Sequence, residues 1–154
     1  MKRRDFLIST GAALGAAALP AAAQKFQPPQ DIAPLIAKIT AGAAIERSGV
    51  ELELPAIAEN GNSVPFRIRV PSPMTAADHV EVIRIFAERN PRPLVATFHL
   101  GPRSGKAEIV TRVRLAGTQK VTVLASLSGN RFRMGQADVL VTSAACLDEA
   151  LAET

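Results

Sequence analysis

The 154-residue chain has no Trp, no Tyr, a single Cys and only two His. One Cys excludes an intrachain disulfide framework and every multi-thiolate metal site. With Tyr and Trp missing and no clustered basic face, the stacking platforms that nucleic-acid binders use are lacking too. There is no G-x-S-x-G, no H-E-x-x-H and no glycine-rich phosphate loop, so the familiar hydrolase, zinc-protease and nucleotide-binding motifs are not present. The hydrophobic fraction of 47% excludes a wholly disordered chain. The length fits one domain.

What the chain does have begins with an address. Lys2, Arg3 and Arg4 precede a mildly apolar Ala- and Gly-rich run, which ends in Ala21, Ala22 and Ala23. This is the layout of a secretory signal. The Arg3–Arg4 pair, followed by Asp5, Phe6 and Leu7, matches the twin-arginine export pattern. Gly11 and Gly15 weaken the run, which suits such a signal better than a membrane-spanning helix. The expectation is cleavage after Ala23 and a periplasmic destination. Removal of residues 1–23 takes away three basic residues and one acidic residue; the net charge falls from +4 to +2, and 131 residues remain. A lone Cys in an oxidising compartment must be buried, react, or pair between chains, so a disulfide-linked dimer through Cys146 is one expected state.

Residues 24–47 read as a Pro-containing linker and one amphipathic helix. Ile32, Leu35, Ile36 and Ile39 recur at helical spacing, Asp31 is placed to cap, Pro34 sits in the first turn and Gly42 is placed to end it. The stripe predicts a helix over residues 31–44 that covers the open edge or end of a sheet. Residues 48–142 switch to short extended runs at 50–54, 64–70, 79–88, 94–100, 107–115, 118–127, 131–135 and 137–142, separated by turn residues such as Asn60–Gly61 and Asn90–Pro91. This rhythm predicts an all-β domain: an immunoglobulin-like antiparallel β-sandwich of seven or eight strands, each sheet with one buried and one solvated face. Residues 143–154 form a C-terminal tail that carries Cys146.

Four features bear on function. His79 follows Asp78, but neighbours on a strand face opposite ways, and His99 lies in an apolar strand where an edge or core role is expected. Arg67, Arg69, Arg112, Arg114, Arg131 and Arg133 alternate along strands, either as a solvated face or as a surface for an anion or a partner. Cys146 lies beyond the last strand, as a reactive thiol or as a buried inert one. A sandwich with a late Cys also raises a blue-copper site, which needs two His and usually has His and Met soon after the Cys. Here LDEALAET follows, and His79, His99, Met74 and Met134 would have to be drawn from elsewhere. No cofactor and no metal ligand is assigned.

The stretch from Val70 onward resembles SoxY, the sulfur-carrier subunit of the bacterial thiosulfate-oxidising (Sox) system. The resemblance rests on Ser72-Pro73-Met74-Thr75, on Glu88-Arg89-Asn90-Pro91, on Val95-Ala96-Thr97-Phe98-His99, and on the run from Thr111 to Ala116 with Thr118 and Gln119. It implies a sandwich that pairs with a SoxZ-like subunit and has no catalytic activity of its own. It also implies that Cys146 holds the sulfur substrate covalently, as a thiosulfonate or persulfide. The adduct would be presented in turn to haem-containing, dimanganese and molybdenum-linked enzymes (SoxXA, SoxB and SoxCD). The family's arm typically ends Gly-Gly-Cys-Gly-Gly, whereas this chain has Ala144-Ala145-Cys146-Leu147-Asp148 and six further residues. Side chains there fill space that glycines leave open, and Asp148 and Glu149 repel an anionic adduct. Two expectations follow: a covalent carrier using Cys146, or a subunit that keeps the fold and the SoxZ-like pairing without using the thiol.

Overall fold

The structure is a computed structural model that describes residues 28–145. The expected signal segment and Cys146 with the residues after it lie outside the described residues. The elements are, in chain order, helix α1 (Ala33–Thr40) and strands β1 (Ile45–Glu46), β2 (Glu51–Glu53), β3 (Ile57–Ala58), β4 (Val64–Arg69), β5 (Val80–Ala87), β6 (Leu94–His99), β7 (Glu108–Val113), β8 (Gln119–Leu127) and β9 (Arg131–Val141). A short 3-10 turn spans Pro102–Ser104. The larger sheet runs β1-β9-β8-β5-β6, with β3 also paired to β9; the smaller runs β2-β4-β7.

The small sheet follows the alternation in its sequence. In β4, Val64, Phe66 and Ile68 are buried while Pro65, Arg67 and Arg69 are exposed. Its inner face packs on Val80, Ile83, Ile85, Val121, Val123 and Val139 of the larger sheet, and this is the main core. The apolar phase of β5 slips after Val80, and the structure absorbs the slip in a bulge. Val80 pairs with Leu127 and Val82 with Ser126, leaving Glu81 as the extra residue. The bulge puts both Val80 and Ile83 on the inner face.

The larger sheet departs from the expectation of one solvated face. Phe86, Leu124, Phe132 and Met134 point away from the main core and form a second cluster with Ile32 and Ile36. Helix α1 therefore lies across the outer face of the larger sheet, not on its edge or end. The reason is in β8, whose residues 121–127 are buried on both faces and so need cover on both. The helix is shorter than predicted. The Asp31 carboxylate accepts the Ala33 N–H at 2.9 Å and opens it. Ala41 and Gly42 adopt positive φ (49° and 80°) and turn the chain back, and glycine suits the second position.

Two further differences concern β9. The runs at 131–135 and 137–142 join in one strand of eleven residues. Strands β1 and β3, which sequence patterning did not register, pair with it in parallel: Ile45 with Phe132, and Ile57 with Leu140. Two-residue strands are too short to show a period. Between them the chain crosses to the small sheet as β2, and Val50 packs over Gly135, where a Cβ would stand 3.0 Å from that of Val50.

Candidate functional site

The strand ends place four segments together at one end of the sandwich: the β3–β4 turn, the β5–β6 turn, the β7–β8 turn, and the chain leaving β9 toward Cys146. That last segment is fastened nearly residue by residue. Val141 N–H donates to Thr118 Oγ1 (3.0 Å), and Thr142 N–H donates to the Ala58 carbonyl (3.0 Å). Beyond these lies a three-way backbone clasp. Gly61 N–H donates to the Ser143 carbonyl (2.7 Å), Leu115 N–H to the Gly61 carbonyl (2.8 Å), and Ala145 N–H to the Leu115 carbonyl (3.0 Å). A Cβ on Gly61 would stand 2.4 Å from the Leu115 oxygen and 2.8 Å from the Ala145 nitrogen, so only glycine fits. Ala145 is buried.

A buried polar network holds the Leu115 loop. Asn90 donates from Nδ2 to the Arg114 carbonyl (2.8 Å) and accepts the Ala116 N–H on Oδ1 (3.0 Å), gripping both neighbours of Leu115. Gln119 Nε2 donates to Asn90 Oδ1 (3.2 Å) and to the Gly117 carbonyl (3.2 Å), while its Oε1 accepts the Arg89 N–H (2.8 Å). Asn90 and Gln119 are both about 95% buried, where unpaired amides are costly and paired ones rigidify. Two of the motifs that carry the family resemblance therefore meet in space, Asn90 from the first and Gln119 from the second. Their residue types were legible, but the 29-residue separation gave no sign that they touch.

The candidate residues fare differently. Cys146 is outside the described residues; its covalent neighbour Ala145 is not. His79 bonds through Nδ1 to the Thr75 carbonyl (3.0 Å) and through its N–H to Ser128 Oγ (3.1 Å). His99 is exposed at the end of β6, in register with Val82. Both histidines thus sit at the opposite end of β5 from Ala87, whose level the clasp shares. Five strand residues separate Val82 from Ala87, roughly 17 Å, so the fold does not bring the histidines to the root of Cys146. Among the described residues no group of three or more His, Cys, Asp or Glu could hold a metal ion, and no helix is long and apolar enough to cross a membrane.

The arginine alternation is largely an ion-paired surface. Arg67 reaches Glu53 (3.5 Å) and Glu108 (3.3 Å), Arg69 reaches Glu51 (3.7 Å), Arg131 reaches Asp78, and Arg133 reaches Glu46 (3.0 Å). Arg112 donates to the Ser63 hydroxyl (3.2 Å). The Ser48 hydroxyl and then the Arg133 guanidinium hold the Glu46 carboxyl below the usual carboxylate range.

Comparison with known proteins agrees with this construction. The model of the family "SoxY: Sulfur oxidation protein SoxY" matches residues 36–146. The structure of the sulfur carrier protein SoxY from Chlorobium limicola f thiosulfatophilum is similar at 31% identity and a TM-score of 0.59, covering 71% of this chain and 94% of that one. Superoxide reductases share the fold alone. The neelaredoxin of Ignicoccus hospitalis has a TM-score of 0.55 at 16% identity, covering 68% of this chain and 91% of that one. A putative superoxide reductase from Thermotoga maritima has 0.52 at 16%, covering 75% and 94%. No curated protein sequence matches the chain. With a two-sheet sandwich, its two motif loops joined at one end, and a family match that runs from α1 to Cys146, the chain belongs to the SoxY family of sulfur oxidation proteins.

Proposed function

We propose that this protein is a periplasmic covalent sulfur carrier, exported by the twin-arginine route, with Cys146 as the attachment point. The observation that carries the reading is that the family match extends to Cys146 itself, the chain's single thiol. The carrier is not an enzyme and needs no resident cofactor. Joining the Cys146 thiolate to the sulfane sulfur of thiosulfate forms one S–S bond and releases two electrons, so loading requires an electron acceptor. We assign that acceptor to a haem-containing SoxXA-like enzyme, with SoxB and SoxCD acting on the adduct afterwards and a SoxZ-like subunit as the pairing partner, as the resemblance implies.

The test is intact-mass spectrometry of the mature protein from the periplasm of thiosulfate-grown cells, with and without reductant. Reductant-labile mass on Cys146, lost in Cys146→Ser, is the expected result. An unmodified thiol in the wild type would overturn the reading. A second reading is favoured by the clasp together with the Ala-Ala and Leu-Asp flanks: a SoxY-family subunit that pairs with a SoxZ-like partner while its thiol stays unused. Under that reading the same experiment returns the bare mass, and the partner co-purifies.

A further inference from the structure

We propose that the free edge of β7 pairs two copies of this chain about a two-fold axis at Val110, in a register set by Glu108 and Arg112. Strand β7 is the outer strand of the small sheet, and among the described residues it pairs with β4 alone. Val70 N–H donates to the Ala107 carbonyl (2.9 Å). Bonded and non-bonded pairs alternate along an antiparallel ladder. Ile68–Ile109, Phe66–Thr111 and Val64–Val113 are therefore the bonded pairs. The N–H and C=O groups of Glu108, Val110 and Arg112 point the other way, toward the open edge. Pro65 agrees with this phase: it has no N–H to give, and it lies opposite Arg112, where none is needed. Strand β7 holds no Pro and no Lys, and no bulge interrupts its pairing with β4, so the usual guards of an edge are missing. Val110 is 69% exposed.

The occupant is a second copy because the strand is charge-complementary to its own reverse. Two antiparallel β7 strands centred on Val110 set that residue against its own counterpart. They also set Glu108 of each copy against Arg112 of the other, on the same face as Val110. Each of these pairs exchanges both N–H···O bonds. Unlike charges directly opposed across a strand pair stabilise it, and like charges oppose it. Registers centred on Glu108 or on Arg112 set like charges face to face. The two residues are also ready for new partners. Among the described residues Arg112 has no carboxylate partner and bonds to Ser63, at 3.2 Å from its hydroxyl. Glu108 meets Arg67 through one carboxylate oxygen (3.3 Å), which leaves the other for the guanidinium across the axis. Two small sheets joined this way make one continuous sheet, β2-β4-β7 followed by its symmetry mate. Cys146 takes no part in the contact.

Sedimentation equilibrium of the mature protein reads the association. Reductant is present so that no disulfide contributes, and interference optics suit a chain without Trp or Tyr. The wild type is expected to be dimeric at about 100 μM, a modest affinity for a small edge contact. Arg112→Glu and Glu108→Arg each make every charged pair across the axis a like one, and each is expected to weaken self-association about tenfold or more. An equimolar mixture of these two variants is expected to associate again, because every charged pair is then unlike. Val110→Pro removes an N–H that does not face β4, and is expected to abolish the dimer with the circular dichroism unchanged. If that variant does not fold, Val110→Lys takes its place and sets like charges on the axis. A wild type that stays monomeric at that concentration would overturn the proposal. So would a dimer indifferent to both charge reversals, or a mixture that stays monomeric. A chain that is monomeric alone and loses a SoxZ-like partner on Val110→Pro would assign the edge to that partner, and would overturn the proposal as well.

Discussion

Truncating Phe86 tests whether helix α1 is integral to the fold or an ornament on it. Phe86 has no exposed surface, yet its ring faces away from the sandwich core and is covered with Ile32 and Ile36 of the helix segment. Phe86→Ala removes most of a ring from that second cluster. Buried Phe→Ala changes cost about 3–5 kcal/mol. The helix is a separate piece that can settle toward the sheet, so the low end, about 3 kcal/mol, is expected. With a urea m-value of about 2 kcal/mol per M for a chain of this size, the midpoint falls by about 1.5 M. The chain has no Trp or Tyr, so far-UV circular dichroism is the probe. Ile36→Ala is expected to cost about 2 kcal/mol, and the double variant less than the sum by about 1 kcal/mol, because the two side chains share one cluster. A loss below about 1 kcal/mol for Phe86→Ala, or strict additivity, would refute the claim that the helix and the outer face form one packed layer.

Three further outcomes are expected. Arg67→Met, on the half-exposed ion-paired face, changes stability by less than about 1 kcal/mol in urea unfolding, because exposed pairs with Glu53 and Glu108 contribute little. Glu46 titrates below the ordinary carboxylate range by NMR; its contribution to stability is complete above the unfolded carboxylate pKa and is lost as pH falls through the folded one, and both effects shrink in Ser48→Ala. Gly135→Ala brings a Cβ to 3.0 Å from that of Val50 and lowers thermal or urea stability by about 1–3 kcal/mol; an unchanged midpoint would mean that Val50 moves freely.

The long elements were legible where period-2 alternation survives, as in β4, or where turn residues bound a run of strand formers, as in β8. The runs at 64–70, 107–115 and 118–127 each contain an observed strand. Strands β1 and β3 were not legible, since two residues carry no period and their pairing with β9 is decided by the chain's path between sheets. The helix was visible in its stripe, but its place was not: only the double burial of β8 shows that the outer face needs a cover. At the site, sequence gave the family motifs and the single thiol. It could read Asn60–Gly61 only as a turn, because the tight fit of Gly61 against Leu115 and Ala145 depends on three segments far apart in the chain.

The way β9 is dressed limits how copies of this protein can stick together. A strand of eleven residues presents about 35 Å of backbone, a ready template for another chain. Here β1 takes one end of that template, β3 takes the other, and Val50 stands over Gly135 between them. At the opposite edge of the sheet β6, six residues long, offers an incoming strand more backbone than β1 or β3, which have two residues each. A second copy added there by two-fold pairing uses up the open edge of both partners. Association by that pairing ends at two chains.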